Sequence, residues 1–277
     1  MTLPAPSPDA TAIVTGASAG IGREIATRLA ARGQGLTLVA RREARLRALA
    51  DDLAGAHGVR AEVVAADLTD EAARRKVVDE VAARGLVPQI LVNNAGLSTV
   101  GPVHRNDPDA ELTMVRTDVE AVVHLCSLVL PGMVARGAGA VLNVASTAAF
   151  QPLPGQAGYA ASKAFVLAYS QAVRAELKGT GVTVTVLCPG PVETDFAATA
   201  GFEPAEAESA LPRFMWVAAA DVAAAAVDGL DRGRAVVIPG AANHAGALAA
   251  RFAPRSLLLP ILARQHPALR DHSPAGG

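Results

Sequence analysis

The sequence predicts an α/β fold: a doubly wound parallel sheet of about seven strands with helices on both faces. Three observations predict it. Short apolar runs alternate strictly with stretches of helical periodicity, a glycine-rich turn joins the first run to the first helix, and polar or small residues gather just after the runs end. Strict alternation makes every connection a crossover, so the strands run parallel and helices cover both faces.

The elements follow in order. Strands are predicted at 11–15, 35–40, 60–66, 89–93, 139–145, 182–188 and 235–238. Each is a short, near-continuous apolar run such as Ala12-Ile-Val-Thr15, the pattern of a strand buried on both faces. Helices are predicted at 20–32, 42–56, 70–84, 108–136, 157–178 and 217–231. Ligand crevices in such sheets open beyond the carboxyl ends of the strands. Gly16, Arg41, Asp67, Asn93, Ser146 and Pro189 all stand at or just past a predicted strand end, so one edge of the sheet collects them.

The first of these groups is Gly16-Ala-Ser-Ala-Gly20-Ile-Gly22, between a strand and a helix. Strand, glycine turn and helix together form the context of a dinucleotide site. Glycines permit the tight turn, and the helix N-terminus offers free N–H groups and partial positive charge to phosphate. The spacing is Gly-x-x-x-Gly-x-Gly. The second strand ends in Arg41-Arg42, 19 and 20 residues after Gly22, with no acid there. An acid at that place accepts from a ribose 2′-hydroxyl, whereas an arginine accommodates a 2′-phosphate. The expected cofactor is therefore NADP(H), with Ser18 a further phosphate contact. The alternative is that both arginines simply open the next helix.

Tyr159 and Lys163 stand one helical turn apart and share a helix face. An ammonium beside a phenol lowers its pKa from the free value of roughly 10. Such a tyrosine exchanges a proton with an alcohol or carbonyl oxygen. Ser146 ends the run Ala140–Ala145 and presents a hydroxyl to the same oxygen.

In these motifs the chain resembles the short-chain dehydrogenase/reductase family and its Rossmann-type fold. The match runs through Thr15-Gly16, Gly20, Gly22, Asp67, Asn93-Asn-Ala-Gly96, Ser146, Tyr159, Lys163 and Pro189-Gly190-Pro-Val-Glu-Thr194, from residue 12 to about 240. The resemblance implies cofactor contacts at Gly16, Ser18, Gly20, Ile21, Gly22, Arg41, Arg42, Asp67, Leu68, Asn93, Ala95, Gly96, Tyr159, Lys163, Pro189, Gly190, Val192 and Thr194. Asn93 is equally a structural support. It implies Ser146, Tyr159 and Lys163 as the catalytic set, and interconversion of a carbonyl compound and its alcohol. Its fourth catalytic position, an asparagine in the long fourth helix, falls on Asp118. That asparagine holds a helix distortion whose carbonyl binds water. Asp118 either adds a negative charge beside Lys163, binds a proton if desolvated, or, one residue out of register, faces water. The alternative function is a non-catalytic NADP(H)-binding sensor or scaffold. The family is usually a homodimer or homotetramer.

Composition narrows the rest. The 277 residues make one domain, and net charge is −1 without a basic block, which gives nucleic-acid binding no electrostatic support. Cys126 and Cys188 have no metal or redox spacing and the six histidines form no ligand pattern, so no metal is expected. The reading is of reduced core thiols in a cytoplasmic protein. Residues 1–9 are expected to be a mobile tail, 10–240 the core, and 195–220 a lid. Three of six phenylalanines and the single tryptophan fall between Thr194 and Asp221, which points to an apolar pocket wall and a hydrophobic ketone or aldehyde. Gln151–Pro154 and Leu97–Val100 complete that pocket. An extension, 241–266, covers the pocket, joins subunits or lies on a membrane surface; 267–277 are expected to be disordered.

Overall fold

In the computed structural model, which describes residues 3–193, 212–265 and 267–270, seven parallel strands form one sheet. They are β1 (Ala10–Thr15), β2 (Leu36–Ala40), β3 (Ala61–Ala65), β4 (Val87–Asn93), β5 (Gly139–Val144), β6 (Val182–Leu187) and β7 (Val236–Val237). Their spatial order is β3-β2-β1-β4-β5-β6-β7. The chain winds outward from β1 to β3, then restarts beside β1 with β4 and winds the other way. The β1/β4 boundary is the switch point where such sheets open a crevice.

The helices are α1 (Gly20–Ala30), α2 (Glu43–His57), α3 (Glu71–Ala83), α4 (Pro108–Val115), α5 (Ala121–Arg136), α6 (Ala157–Glu176), α7 (Ala219–Asp231), α8 (Ala241–Phe252) and α9 (Arg255–Gln265). The strands alternate between two cores. Ala12, Val14, Ile90, Val92 and Leu142 meet α1, α2 and α7 on one face. Ile13, Leu91 and Val141 meet α3, α5 and α6 on the other. Both faces are therefore apolar, as a fully covered parallel sheet requires.

Residues 3–9, expected as part of a mobile tail, contact the body: Leu3 packs on the α1–α2–α7 core, its N–H meets Asp231 at 3.5 Å, and Gln34 Nε2 donates to Pro4 O at 2.8 Å. Pro267–Arg270 form a helical turn within the tail expected to be disordered. Residues 271–277 and most of the expected lid lie outside the described residues. The run Pro108–Arg136 is long and apolar enough to cross a membrane by length and composition. Its buried members Leu125, Val129 and Met133 instead pack into the sheet core.

Candidate active site

The chain turns beyond the strand ends form the walls of a cavity of about 760 Å³, within the usual size of small-molecule sites. At one end lies the β1–α1 turn. Gly16 and Gly20 have φ of 65° and 53°, in the left-handed region that glycine adopts without a Cβ penalty. A Cβ on Gly22 would collide with the carbonyl of Gly16 and the Asn94 side chain. Gly22 thus packs the helix start against the turn and does not itself line the cavity. The N-cap of α1 is Ala19, which provides no side-chain cap. By contrast, Asp70 caps α3 by accepting from Ala72 and Ala73 N–H. The first N–H groups of α1 are thus left for a ligand, and the helix end favours an anion.

The β2–α2 turn places Arg41 and Arg42 on the same wall, before α2 begins at Glu43. Arg42 Nη2 donates to Ser18 Oγ at 2.9 Å. Asp67, after β3, lines the next stretch of wall. The Thr69 N–H holds its carboxyl below the ordinary value despite some burial, helped by the Thr69 hydroxyl and Arg41. Buried Arg74 fixes this loop by donating from Nη1 to Leu68 O at 2.8 Å.

Ser146, Tyr159 and Lys163 meet at the middle of the cavity. Ser146 caps a short 3₁₀ turn after β5 and accepts from Ala148 N–H at 3.1 Å. Lys163 is buried, its Nζ 5.6 Å from the centre of the Tyr159 ring and 3.3 Å from Val144 O. Behind Lys163, away from the cavity, lies Asp118, fully buried. Its Oδ2 is 2.9 Å from Lys163 Nζ, and its Oδ1 accepts from Leu97 N–H at 2.7 Å. It belongs to a π-helical turn, Arg116–Glu120, inserted between α4 and α5. One wider turn of backbone rotates Asp118 inward. A Cβ on Gly96 would lie 3.1 Å from Lys163 Nζ and 3.4 Å from Asp118 Oδ1, so the bare glycine makes room for this ion pair.

Burial pushes the Tyr159 phenol above its ordinary value. Lys163 and Ser146 pull it down, while Asp118 and Cys188 push it further up. Lys163 lowers the phenol as expected, but desolvation outweighs the ammonium and Asp118 offsets part of its field, so the net direction is upward rather than downward. Burial favours neutral Lys163, but the Asp118 carboxylate and then Tyr159 more than reverse this and raise it. Asp118 is raised by burial, opposed by Lys163 and by the Leu97 N–H.

A profile of the short chain dehydrogenases matches residues 10–203. The chain belongs to the short-chain dehydrogenase family. A short chain dehydrogenase of Pseudocercospora fijiensis is 40% identical over 190 residues, 68% of this chain but 61% of its relative. The matched stretch is thus under two thirds of that relative's length. A short-chain dehydrogenase from Sphingobium yanoikuyae in complex with NADPH has a similar structure, with TM-score 0.75 and 31% identity over 96% of this chain and 98% of the other. The bulky-bulky ketone specific alcohol dehydrogenase of Comamonas testosteroni matches with TM-score 0.72 and 28% identity, over 96% of both chains.

In this chain the cavity brings together Gly16, Ser18, Gly20, Ile21, Arg41, Arg42, Asp67, Leu68, Ala95, Gly96, Ser146, Tyr159, Lys163, Pro189, Gly190 and Val192. Three expected site residues do not reach it. Asn93 is the last residue of β4 and points into the sheet's face, where its Nδ2 donates to Asn143 Oδ1 at 2.8 Å. Gly22 packs as described, and Asp118 touches Lys163 rather than the cavity, which makes it a positioning residue. Thr194 lies outside the described residues. The reverse error is Asn94. One residue past the strand, it lines the cavity and donates from Nδ2 to Thr15 O at 2.9 Å, tying the β4 loop to the glycine turn. Strand alternation carried the signal, since Asn93 and Asn94 must face opposite ways.

The far end of the cavity is made by Leu97, Gln151, Leu153, Met215, Trp216, Asn243, Ala247, Ala250 and Leu262. A bridge between Val192 and Val217 ties the two ends of the intervening segment together. Buried Asn243 donates from Nδ2 to Met215 O at 2.9 Å and to Pro239 O at 3.1 Å. No local pattern marked Asn243, because its partners come from separate loops.

Proposed function

We propose that the protein is an NADP(H)-dependent reductase that interconverts a hydrophobic ketone or aldehyde and its alcohol. The observation that carries this is the placement of Ser146, Tyr159 and Lys163 in one cavity with the uncapped α1 N-terminus and the Arg41–Arg42 pair. The donor set fits the cofactor: free N–H groups for a pyrophosphate, and guanidiniums with Ser18 for a 2′-phosphate. When bound, NADPH supplies the hydride. Tyr159, kept protonated by burial, donates its proton to the carbonyl oxygen and regains one from solvent. Ser146 hydrogen-bonds that oxygen and stabilises its developing charge. Lys163 steadies the phenolate left behind and holds the nicotinamide ribose. The apolar far wall supports a hydrophobic substrate, in keeping with the ketone specificity of the Comamonas relative.

Leu112, Val134 and Phe165 are exposed on α4, α5 and α6, which supports a homodimer or homotetramer joined through these helices. Buried, unpaired Cys126 and Cys188 support a reducing, cytoplasmic setting.

The test is NADPH against NADH oxidation at about 340 nm over aliphatic, aromatic and cyclic carbonyls. We expect turnover with NADPH, reduced on the order of 10²–10⁴-fold in Tyr159→Phe, the range for losing a general acid. Tight NADPH binding with no turnover on any carbonyl would favour the sensor reading.

A further inference from the structure

We propose that the C-terminal extension is a docking surface for an anionic lipid bilayer. Helices α8 and α9 have two unlike sides. Ala247 and Ala250 of α8 and Leu262 of α9 line the active-site cavity. The other side carries large apolar residues left in water: Leu248 and Phe252 one turn apart on α8, exposed 53% and 74%, and Leu257 and Ile261 one turn apart on α9, exposed 66% and 52%. Phe214, 75% exposed, follows Pro212 in the turn bound to α8 through Asn243. Single exposed hydrophobics are ordinary, but two stacked pairs on adjoining short helices mark an interaction surface.

Charge decides what covers it. From residue 241 to 265, across α8 and α9, the chain has three arginines and no aspartate or glutamate, while the whole chain has net charge −1. Arg251, Arg255 and Arg264 all lie in α8 and α9 and are exposed. The Arg251 guanidinium lies 5.9 Å from the Phe252 ring centre, so charge and apolar ring share one spot. Arg255 also ties α9 to the body, donating to Phe150 O at 3.1 Å. A two-fold interface with a second copy would press this patch against itself, setting arginines against arginines, with no carboxylate among the described residues of α8 and α9 to answer them. An anionic bilayer answers both features at once: headgroup phosphates take the arginines and the acyl boundary takes Leu248, Phe252, Leu257 and Ile261. Docking there lays the cavity wall along the membrane. This goes beyond the proposed reaction and does not depend on it.

The experiment is co-sedimentation of the full chain with phosphatidylcholine vesicles, with and without phosphatidylglycerol, at physiological salt. The wild type is expected to sediment with the anionic vesicles and remain largely in solution with neutral ones. Two variants are compared, Phe252→Ser with Leu257→Ser, and Arg251→Gln with Arg264→Gln; neither pair lines the cavity. Each arginine removed should weaken binding about fivefold, and the apolar pair should abolish it. Unchanged thermal midpoints show that the variants fold. Wild type left in the supernatant with anionic vesicles overturns the proposal. So does undiminished sedimentation of the serine variant. A smaller species by sedimentation velocity, formed by the serine variant without lipid, also overturns it and assigns the patch to a second copy.

Discussion

The two ends of the cavity are built by different means. At the cofactor end, Gly16, Arg41 and Asp67 each stand within two residues of a strand terminus. The parallel register of β1, β2 and β3 therefore fixes their spacing before any side chain packs. At the far end, Met215, Asn243, Ala247 and Leu262 come from a 3₁₀ turn and two helices, held by side-chain contacts across long sequence separations. Backbone topology places one end and tertiary packing the other. Changes at the first should alter affinity without altering the fold. Changes at the second should disturb shape. The Asp118–Lys163 pair, between the two, should disturb both.

The largest effect is expected at that pair. Asp118→Ala leaves the buried Lys163 ammonium without its partner and should cost about 3–5 kcal/mol of stability, read as a lowered midpoint in urea. Asp118→Asn keeps an oxygen for the Leu97 N–H but still leaves the Lys163 ammonium without its counter-charge, so it should lose somewhat less stability than the alanine variant. Its pH profile carries the sharper information. The carboxylate is one of the groups that raise Tyr159, beneath the larger effect of burial. Removing its charge lets the phenol ionise at lower pH. Reduction needs the protonated phenol, so the alkaline limb of kcat/KM should move to lower pH. Oxidation needs the phenolate, so its acid limb should move the same way. A profile identical to wild type would mean that Asp118 only holds Lys163 in place.

The next effect belongs to the cofactor end alone. Arg41→Ala with Arg42→Ala removes two charge-assisted contacts, each worth about 1.5–3 kcal/mol. The KM for NADPH should rise about 100-fold or more on that basis, with NADH nearly unchanged and the melting temperature held. Equal losses for both cofactors would contradict the assignment of these arginines to a 2′-phosphate.

The same contrast explains what was legible in the sequence. All seven strands and the six predicted helical stretches were readable, although the stretch 108–136 is divided by the π turn into α4 and α5; buried parallel strands announce themselves as apolar runs, and the glycine turn requires positive φ. The Ser146, Tyr159 and Lys163 cluster was readable because one strand end and one helical turn specify it. Asn93 was legible only as either a cofactor contact or a structural support, and it takes the second place, since a motif names a segment while only the pleat says which side chain faces the ligand. Asp118 was legible as a charge beside Lys163 only as one of several alternatives, because the π turn that rotates it inward depends on how α4 and α5 pack. Asn243 was illegible, since its partners, Met215 and Pro239, come from separate loops.

Asn243 accordingly offers the finest test of the comparison. Its amide holds the 213–215 turn, the β7–α8 junction and the start of the extension together, and a Cβ on Gly190 would collide with it. Asn243→Ala leaves the Met215 and Pro239 carbonyls without this donor, a cost of about 1–3 kcal/mol if they stay buried. Because the far wall rests on this amide, the loss should appear as a higher KM for the carbonyl substrate. The KM for NADPH should change little, since no part of the glycine turn or the arginine pair touches Asn243. Should both KM values rise together, the two ends are mechanically one, and Gly190, which lies against Asn243 and lines the cavity, is the place where they are joined.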